Sequence, residues 1–63
     1  MKVKLRAARE ASGKTQAQVA KEAGISALSY QRYEYALREP GVQTAIRIAR
    51  ALKSTVEELF SDD

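Results

Sequence analysis

The sequence predicts an all-α fold, one domain of five short helices. Three observations predict it. Across 63 residues, Ala, Leu, Glu, Lys, Arg and Gln dominate, and no run alternates apolar and polar residues as a strand would. Apolar residues recur instead at three- and four-residue spacings. The three Gly and one Pro fall between these periodic segments, where they punctuate helices. A chain this short buries only about 60% of its unfolded surface, so every helix must share one core.

Helix 1 is predicted over about 2–12. Leu5 and Ala8 lie on its inner side, while Lys2, Lys4, Arg6 and Arg9 are more exposed. Gly13 follows the last turn, where a left-handed stop is expected. Helix 2 spans 16–23. Thr15 with Gln18 three residues on is a capping box, which closes two unpaired amides. Val19, Ala20 and Ala23 form the inner stripe, and Gly24 suits a positive φ at the end. Helix 3 starts after Ser26, a good N-cap, and runs over about 27–36. Tyr30, Tyr33 and Leu37 repeat at helical spacing. Tyr33 reads as core; for Tyr30, core packing and a hydroxyl reaching a phosphate are both open.

Arg38-Glu39-Pro40-Gly41 is a break, because Pro disfavours helix at the residue before it. Helix 4 spans 42–52 with Val42, Ala45, Ile48, Ala49 and Leu52 on its apolar face. Helix 5 spans 56–60, with Thr55 and Glu58 as a second capping box and Val56, Leu59 and Phe60 on its apolar side. Ser61, Asp62 and Asp63 are expected to fray. The predicted core is Leu5, Ala8, Val19, Ala20, Ala23, Ile25, Tyr30, Tyr33, Val42, Ala45, Ile48, Ala49, Leu52, Val56 and Leu59.

Composition narrows the function. There is no Cys and no His. That removes disulfides, thiolate chemistry, the commonest general base and the commonest metal ligand. The eight carboxylates form no cluster at ligand spacing. The expectation is a protein that is not an enzyme and has no metal, cofactor or small-molecule ligand. The charged opening MKVKLRAARE is no signal peptide, and no stretch approaches the roughly 20 apolar residues of a membrane span. A cytoplasmic protein without a membrane partner is expected.

Charge is unevenly placed. Residues 1–53 carry all 11 basic residues against Glu10, Glu22, Glu34 and Glu39, a net +7. Residues 54–63 carry Glu57, Glu58, Asp62 and Asp63, a net −4. A basic body with an acidic end suits a polyanion partner; ordinary surface scatter is the plain alternative.

The stretch TQAQVAKEAGISALSYQRYEY, Thr15–Tyr35, is the most specific feature. It reads as two short helices joined by a tight turn at Ala23-Gly24-Ile25. Burying Tyr30 and Tyr33 turns Ala27, Leu28, Gln31 and Arg32 outward, because of the 3.6-residue period. That is the helix-turn-helix layout, whose second helix enters the major groove of DNA. Arg32 can fork onto guanine O6 and N7, and Gln31 can pair with adenine or a phosphate. Ala27 and Leu28 are either plain exposed residues or contacts for thymine methyls. Gln16, in the first turn of helix 2, is the leading phosphate contact. Gln18, Lys21, Arg9, Lys14, Arg38, Tyr35 and Tyr30 are second-tier candidates, and each cation is equally readable as a solvated charge.

With LRAAREASGKTQAQVAKEAGIS, SYQRYE and REPGVQTAIRIARALKSTVEELF in order, the chain resembles the Cro/repressor-type, Xre-like helix-turn-helix family over about Leu5–Phe60. The resemblance implies a lambda-repressor-like, five-helix DNA-binding domain acting as a dimer on an operator with two half-sites. It implies that Gln16 touches phosphate and that Ala27, Leu28, Gln31 and Arg32 read base edges or brace the backbone. Tyr35-Ala36 stands where the family commonly has Asn-Gly, which predicts a helix 3 running on toward Leu37. Lys53 stands where Gly often closes helix 4, which predicts a left-handed Lys53 or a different turn.

Val42, Ile46, Leu59 and Phe60 are candidate dimer contacts; Phe60 can equally pack locally under helix 5. The expected function is a sequence-specific double-stranded-DNA-binding transcriptional regulator, a repressor. The alternative is a protein-interaction module, such as an antitoxin-type partner that keeps the fold. A third reading is nucleic-acid binding without sequence choice.

Overall fold

Hydroxyl caps and left-handed stops divide the chain into helices. The computed structural model describes residues 1–61. Among them it places α1 (Val3–Ala11), α2 (Gln16–Ala23), α3 (Ala27–Glu34), α4 (Val42–Ala51) and α5 (Val56–Phe60), and no strand. The fold is all-α among the described residues. The expectation of fraying at Asp62 and Asp63 lies outside the described residues.

Three helices start on a side-chain cap. The Thr15 hydroxyl accepts from the Gln18 amide at 3.1 Å, and the Gln18 side chain accepts from the Thr15 amide at 2.7 Å, a complete capping box. Ser26 accepts from the Ser29 amide at 3.1 Å. Thr55 accepts from the Glu58 amide at 3.1 Å, but the box expected there is half built. The Glu58 carboxylate accepts instead from the Ser54 hydroxyl, at 3.0 Å.

Four helices end in one motif. After α2, the Ile25 amide donates to the Ala20 carbonyl and the Gly24 amide to Lys21. The same pair of bonds recurs at Lys14 and Gly13, at Leu37 and Ala36, and at Ser54 and Lys53. This is the Schellman arrangement, which needs a left-handed residue just past the helix. Gly13 and Gly24 supply it at φ 69° and 72°, and Ala36 and Lys53 at 60° and 53°. So α3 stops at Glu34 rather than continuing toward Leu37, because Ala36 turns left-handed without the help of glycine. Lys53 takes the left-handed geometry that the missing glycine implied.

A left-handed non-glycine costs roughly 1–2 kcal/mol, and glycine returns part of that through its freer unfolded chain. Lys53 is exposed, so little packing is lost by removing it. Lys53→Gly is therefore expected to stabilise the domain by about 0.5–1 kcal/mol, a rise of a few degrees in Tm. Thermal unfolding followed by circular dichroism checks this, and an unchanged or lower Tm contradicts it.

Leu5, Val19, Ala20, Ala23, Tyr30, Ile48, Ala49, Leu52 and Leu59 make one buried cluster, with Ala8, Ile25, Tyr33, Ala51 and Phe60 packed at its edge. Ala45 is also buried. α2 packs between α3 and α4, and α5 closes against α1 and α4. Two expected core residues are outside: Val42 is 76% exposed and Val56 36%. Each opens its helix, so it shares the apolar side yet extends past the cluster. Lys14 ties the loop before α2 to two elements, donating to Glu22 and to the Ala51 carbonyl, each at 2.8 Å.

Candidate nucleic-acid interface

An ion pair lies under the helix-turn-helix, and one of its members, Arg9, is a residue expected on the exposed side of helix 1. Arg9 of α1 forks onto Glu34 of α3, with Nε to Oε2 at 2.8 Å and Nη2 to Oε1 at 3.1 Å. Its remaining Nη1 donates to the Lys14 carbonyl at 3.0 Å. Glu34 is only 1% exposed. Bidentate pairing of this kind is strong and fixes orientation.

The network continues to the surface. Gln16 Nε2 donates to Glu34 Oε1 at 3.1 Å, and Gln31 Nε2 donates to Gln16 Oε1 at 3.4 Å. The first residue of α2 and an outward residue of α3 are thereby joined to a charge buried in the core. Burial alone would raise the Glu34 pKa. The Arg9 guanidinium, with Tyr30 and Gln16 beside the carboxylate, outweighs that and holds it below the usual carboxylate value. Hydrogen bonding to Glu34 raises Arg9 in turn. Burial, then the Glu34 carboxylate, pushes the Tyr30 phenol far up, so it stays neutral.

Ala27, Leu28 and Arg32 are exposed on α3, and Gln31 is half-buried where it meets Gln16. The capping box satisfies two of the four amides that a helix start leaves unpaired. Those of Gln16 and Ala17 remain, directed out of the helix end. A start of this kind attracts anions. Tyr35 and Arg38 are exposed in the segment after α3, and Gln18 gives its side-chain oxygen to the box. Lys21 is exposed on the flank of α2 beside α4, away from these groups.

Several expected site residues are committed elsewhere. Tyr30 is fully buried, with its hydroxyl enclosed and no side chain completing a hydrogen bond to it, so it is no phosphate contact. Arg9 directs three of its five N–H donors at Glu34 and Lys14, and the Lys14 ammonium donates to Glu22 and the Ala51 carbonyl. Leu59 is 2% exposed and belongs to the core, which removes it as a dimer contact. Val42 and Phe60 do come together, with Glu39, Pro40, Ala45 and Val56, around an apolar groove of about 230 Å³. Ile46 is half-buried and does not line it.

The residue missed was Glu34, and periodicity carried the signal. Glu34 stands four residues after Tyr30, and Arg9 four after Leu5. Each is a charge at an inward position, and the signs are opposite. Among the described residues there is no cluster able to hold a metal, and no helix is long and apolar enough to cross a membrane.

This is the architecture of a helix-turn-helix domain, and the chain belongs to the helix-turn-helix family, which residues 5–59 match, in its Cro/repressor-type, Xre-like form. It is similar to the cryptic phage CTXphi transcriptional repressor RstR of Vibrio cholerae serotype O1, 46% identical over 61 residues. That match covers 94% of this chain and 54% of the repressor, so the chain spans about half the length of the curated relative it matches. In three dimensions it is similar to the P22 c2 repressor protein, solved in complex with synthetic operator 9T, with a TM-score of 0.86 at 25% identity. The superposition covers 94% of this chain and 89% of that one.

Proposed function

We propose that this chain is a sequence-specific double-stranded-DNA-binding transcriptional regulator that represses by occupying an operator as a dimer. The observation that carries the reading is the Gln16–Gln31 link. It holds the anion-attracting start of α2 and the outward face of α3 in one frame, so that phosphate contact and base reading happen in register. Phosphate contacts set position and affinity, and base contacts set sequence. Arg32 and Gln31 are the hydrogen-bonding readers; Ala27 and Leu28, the latter 54% exposed, meet thymine methyls. Gln16, Arg38 and Tyr35 brace the backbone. The repressor relative and the operator-bound structural neighbour support the reading. With DNA as its partner the protein would act in the cytoplasm, and nothing in the reading calls for catalysis.

One such domain spans only a few base pairs, so useful specificity needs two. The groove at Val42 and Phe60 is the surface we assign to pairing, with the two recognition helices about one helical turn, roughly 34 Å, apart. Val42→Glu is expected to leave binding to a single half-site unchanged and to weaken binding to a two-half-site duplex about tenfold or more. Equal loss on both duplexes contradicts the assignment.

Amide chemical-shift mapping on titration with duplex DNA tests the reading as a whole. The expected shifts fall at residues 15–18, 27–32 and 35–38. Shifts spread over the surface, or confined to α4 and α5, would overturn it.

A further inference from the structure

Three of the basic residues without a part in the proposed DNA contact lie together. Lys21 from α2 and Arg47 and Arg50 from α4 line an open cleft of about 510 Å³, together with Glu22, Ala23, Gly24 and Ala51. The small residues leave its floor low, and a Cβ added at Gly24 would meet nothing within 4 Å. Glu22 is paired with Lys14 at 2.8 Å, on the side where Lys14 also meets the Ala51 carbonyl. No salt bridge reaches Lys21, Arg47 or Arg50 among the described residues.

Three cations share this cleft with one carboxylate, Glu22, which is paired with Lys14. That excess of positive charge is unfavourable, and Arg47 and Arg50 are neighbours one turn apart on a single helix. Lys21 and Arg50 are in the last turns of their helices, where the helix dipole favours a cation. Arg47 lies earlier in α4 and has no such compensation. The fold needs no charge there, because all three side chains are exposed.

Position separates this cleft from the reading face. α3 packs on one flank of α2 and α4 on the other, and no α3 residue lines the cleft. If α3 lies in the major groove, which rests on the proposed function, a duplex across its outward face leaves the cleft open.

We infer that this cleft docks an acidic peptide segment of a partner protein. Chemistry and spacing agree. Guanidinium forks suit carboxylates bidentately. In an extended peptide, alternate side chains share a face about 6.5–7 Å apart, and helix neighbours one turn apart have Cβ atoms about 5–6 Å apart. Two carboxylates two residues apart therefore match Arg47 and Arg50, and Lys21 closes the opposite wall. A regulator built this way presents DNA with one face and a protein partner with another.

The test uses the whole chain, a fluorescein-labelled hexaglutamate peptide and a hexaserine control, at about 0.15 M salt, where the Debye length is about 8 Å. Amide shifts and anisotropy are read for the wild type, Arg47→Glu and Arg6→Glu. Arg6 is exposed on α1, so its variant carries the same charge change elsewhere. The expected result is peptide-induced shifts confined to residues 21–24 and 47–51, with affinity falling at least tenfold in Arg47→Glu and less than twofold in Arg6→Glu. Saturation with duplex DNA should leave the cleft amides unmoved and the peptide still bound. Equal losses in the two variants would reduce the effect to net charge and overturn the proposal. So would absence of binding, or cleft shifts on adding DNA, which would make the cleft part of the DNA interface. The DNA-induced shifts at α2 and α3 are recorded in the same samples, so failure of the peptide site and failure of the DNA reading are distinguishable.

Discussion

Glu34→Gln is expected to destabilise the domain by about 3–5 kcal/mol, because it leaves the Arg9 guanidinium half-buried without its counter-charge. A 63-residue domain at about 0.05–0.15 kcal/mol per residue has only about 3–9 kcal/mol in total. The loss is thus a large share of the total, and the variant should melt well below the wild type. Replacing both partners, as Arg9→Met with Glu34→Leu, removes the buried charges together and should recover most of the loss. Recovery in the double variant would assign the penalty to the orphaned charge rather than to lost packing.

The pH dependence has a definite sign. The folded pKa of Glu34 lies below its ordinary value of 4.5. Its contribution to stability is therefore complete above the unfolded pKa, and is lost as pH falls from about 4.5 through the lower folded value. Arg9 stays charged throughout, so no compensating change comes from its side. Urea unfolding of the wild type across pH 7 to pH 3 should show a plateau and then a fall. In the double variant that fall should be shallower. An unfolding free energy for Glu34→Gln within about 1 kcal/mol of wild type at pH 7 would contradict this account of the network.

Arg32→Ala is the second large effect. Removing a bidentate guanine contact should cost about 1–3 kcal/mol at one base pair in each half-site, and preference at that position should disappear. The salt dependence should change little. Arg38→Ala should behave in the opposite way, weakening all duplexes about equally and lowering the salt slope by about one unit. Anisotropy titrations against a panel of duplexes with single base-pair changes, each at two salt concentrations, separate the two. Uniform loss on every duplex in Arg32→Ala would remove it from the readers.

Local signals made most of the fold legible before the structure. The Thr15–Gln18 box and the Ser26 cap begin helices where expected, and Gly13 and Gly24 end them. What escaped depends on where neighbours stop. A 3.6-residue period shows which side of α4 is apolar, but not that Val42 extends beyond the last core residue. It shows that Leu59 and Phe60 share a side, but not that Leu59 is spent on the core while Phe60 reaches the groove.

The candidate site was half legible. Ala27, Leu28, Gln31 and Arg32 follow from burying Tyr30, whatever lies beneath. The network under them was hidden because Arg9 reads as an exposed cation and Glu34 enters only the charge count. Only together do the two satisfy burial, and they are 25 residues apart in sequence and on different helices. The same distance effect hid the fate of the Tyr30 hydroxyl, which is enclosed beside that pair rather than offered to a phosphate. At Thr55 the local rule was followed halfway, because the Ser54 hydroxyl competes for the Glu58 carboxylate.

The central claim is that α3 reads DNA sequence while the start of α2 holds the backbone. Selection of bound molecules from a random duplex pool at low and physiological salt tests it most directly. The account predicts enrichment of a short inverted repeat at both salts, with half-site centres about 10 base pairs, one helical turn, apart. Salt-sensitive binding with no enriched sequence at either concentration would contradict it.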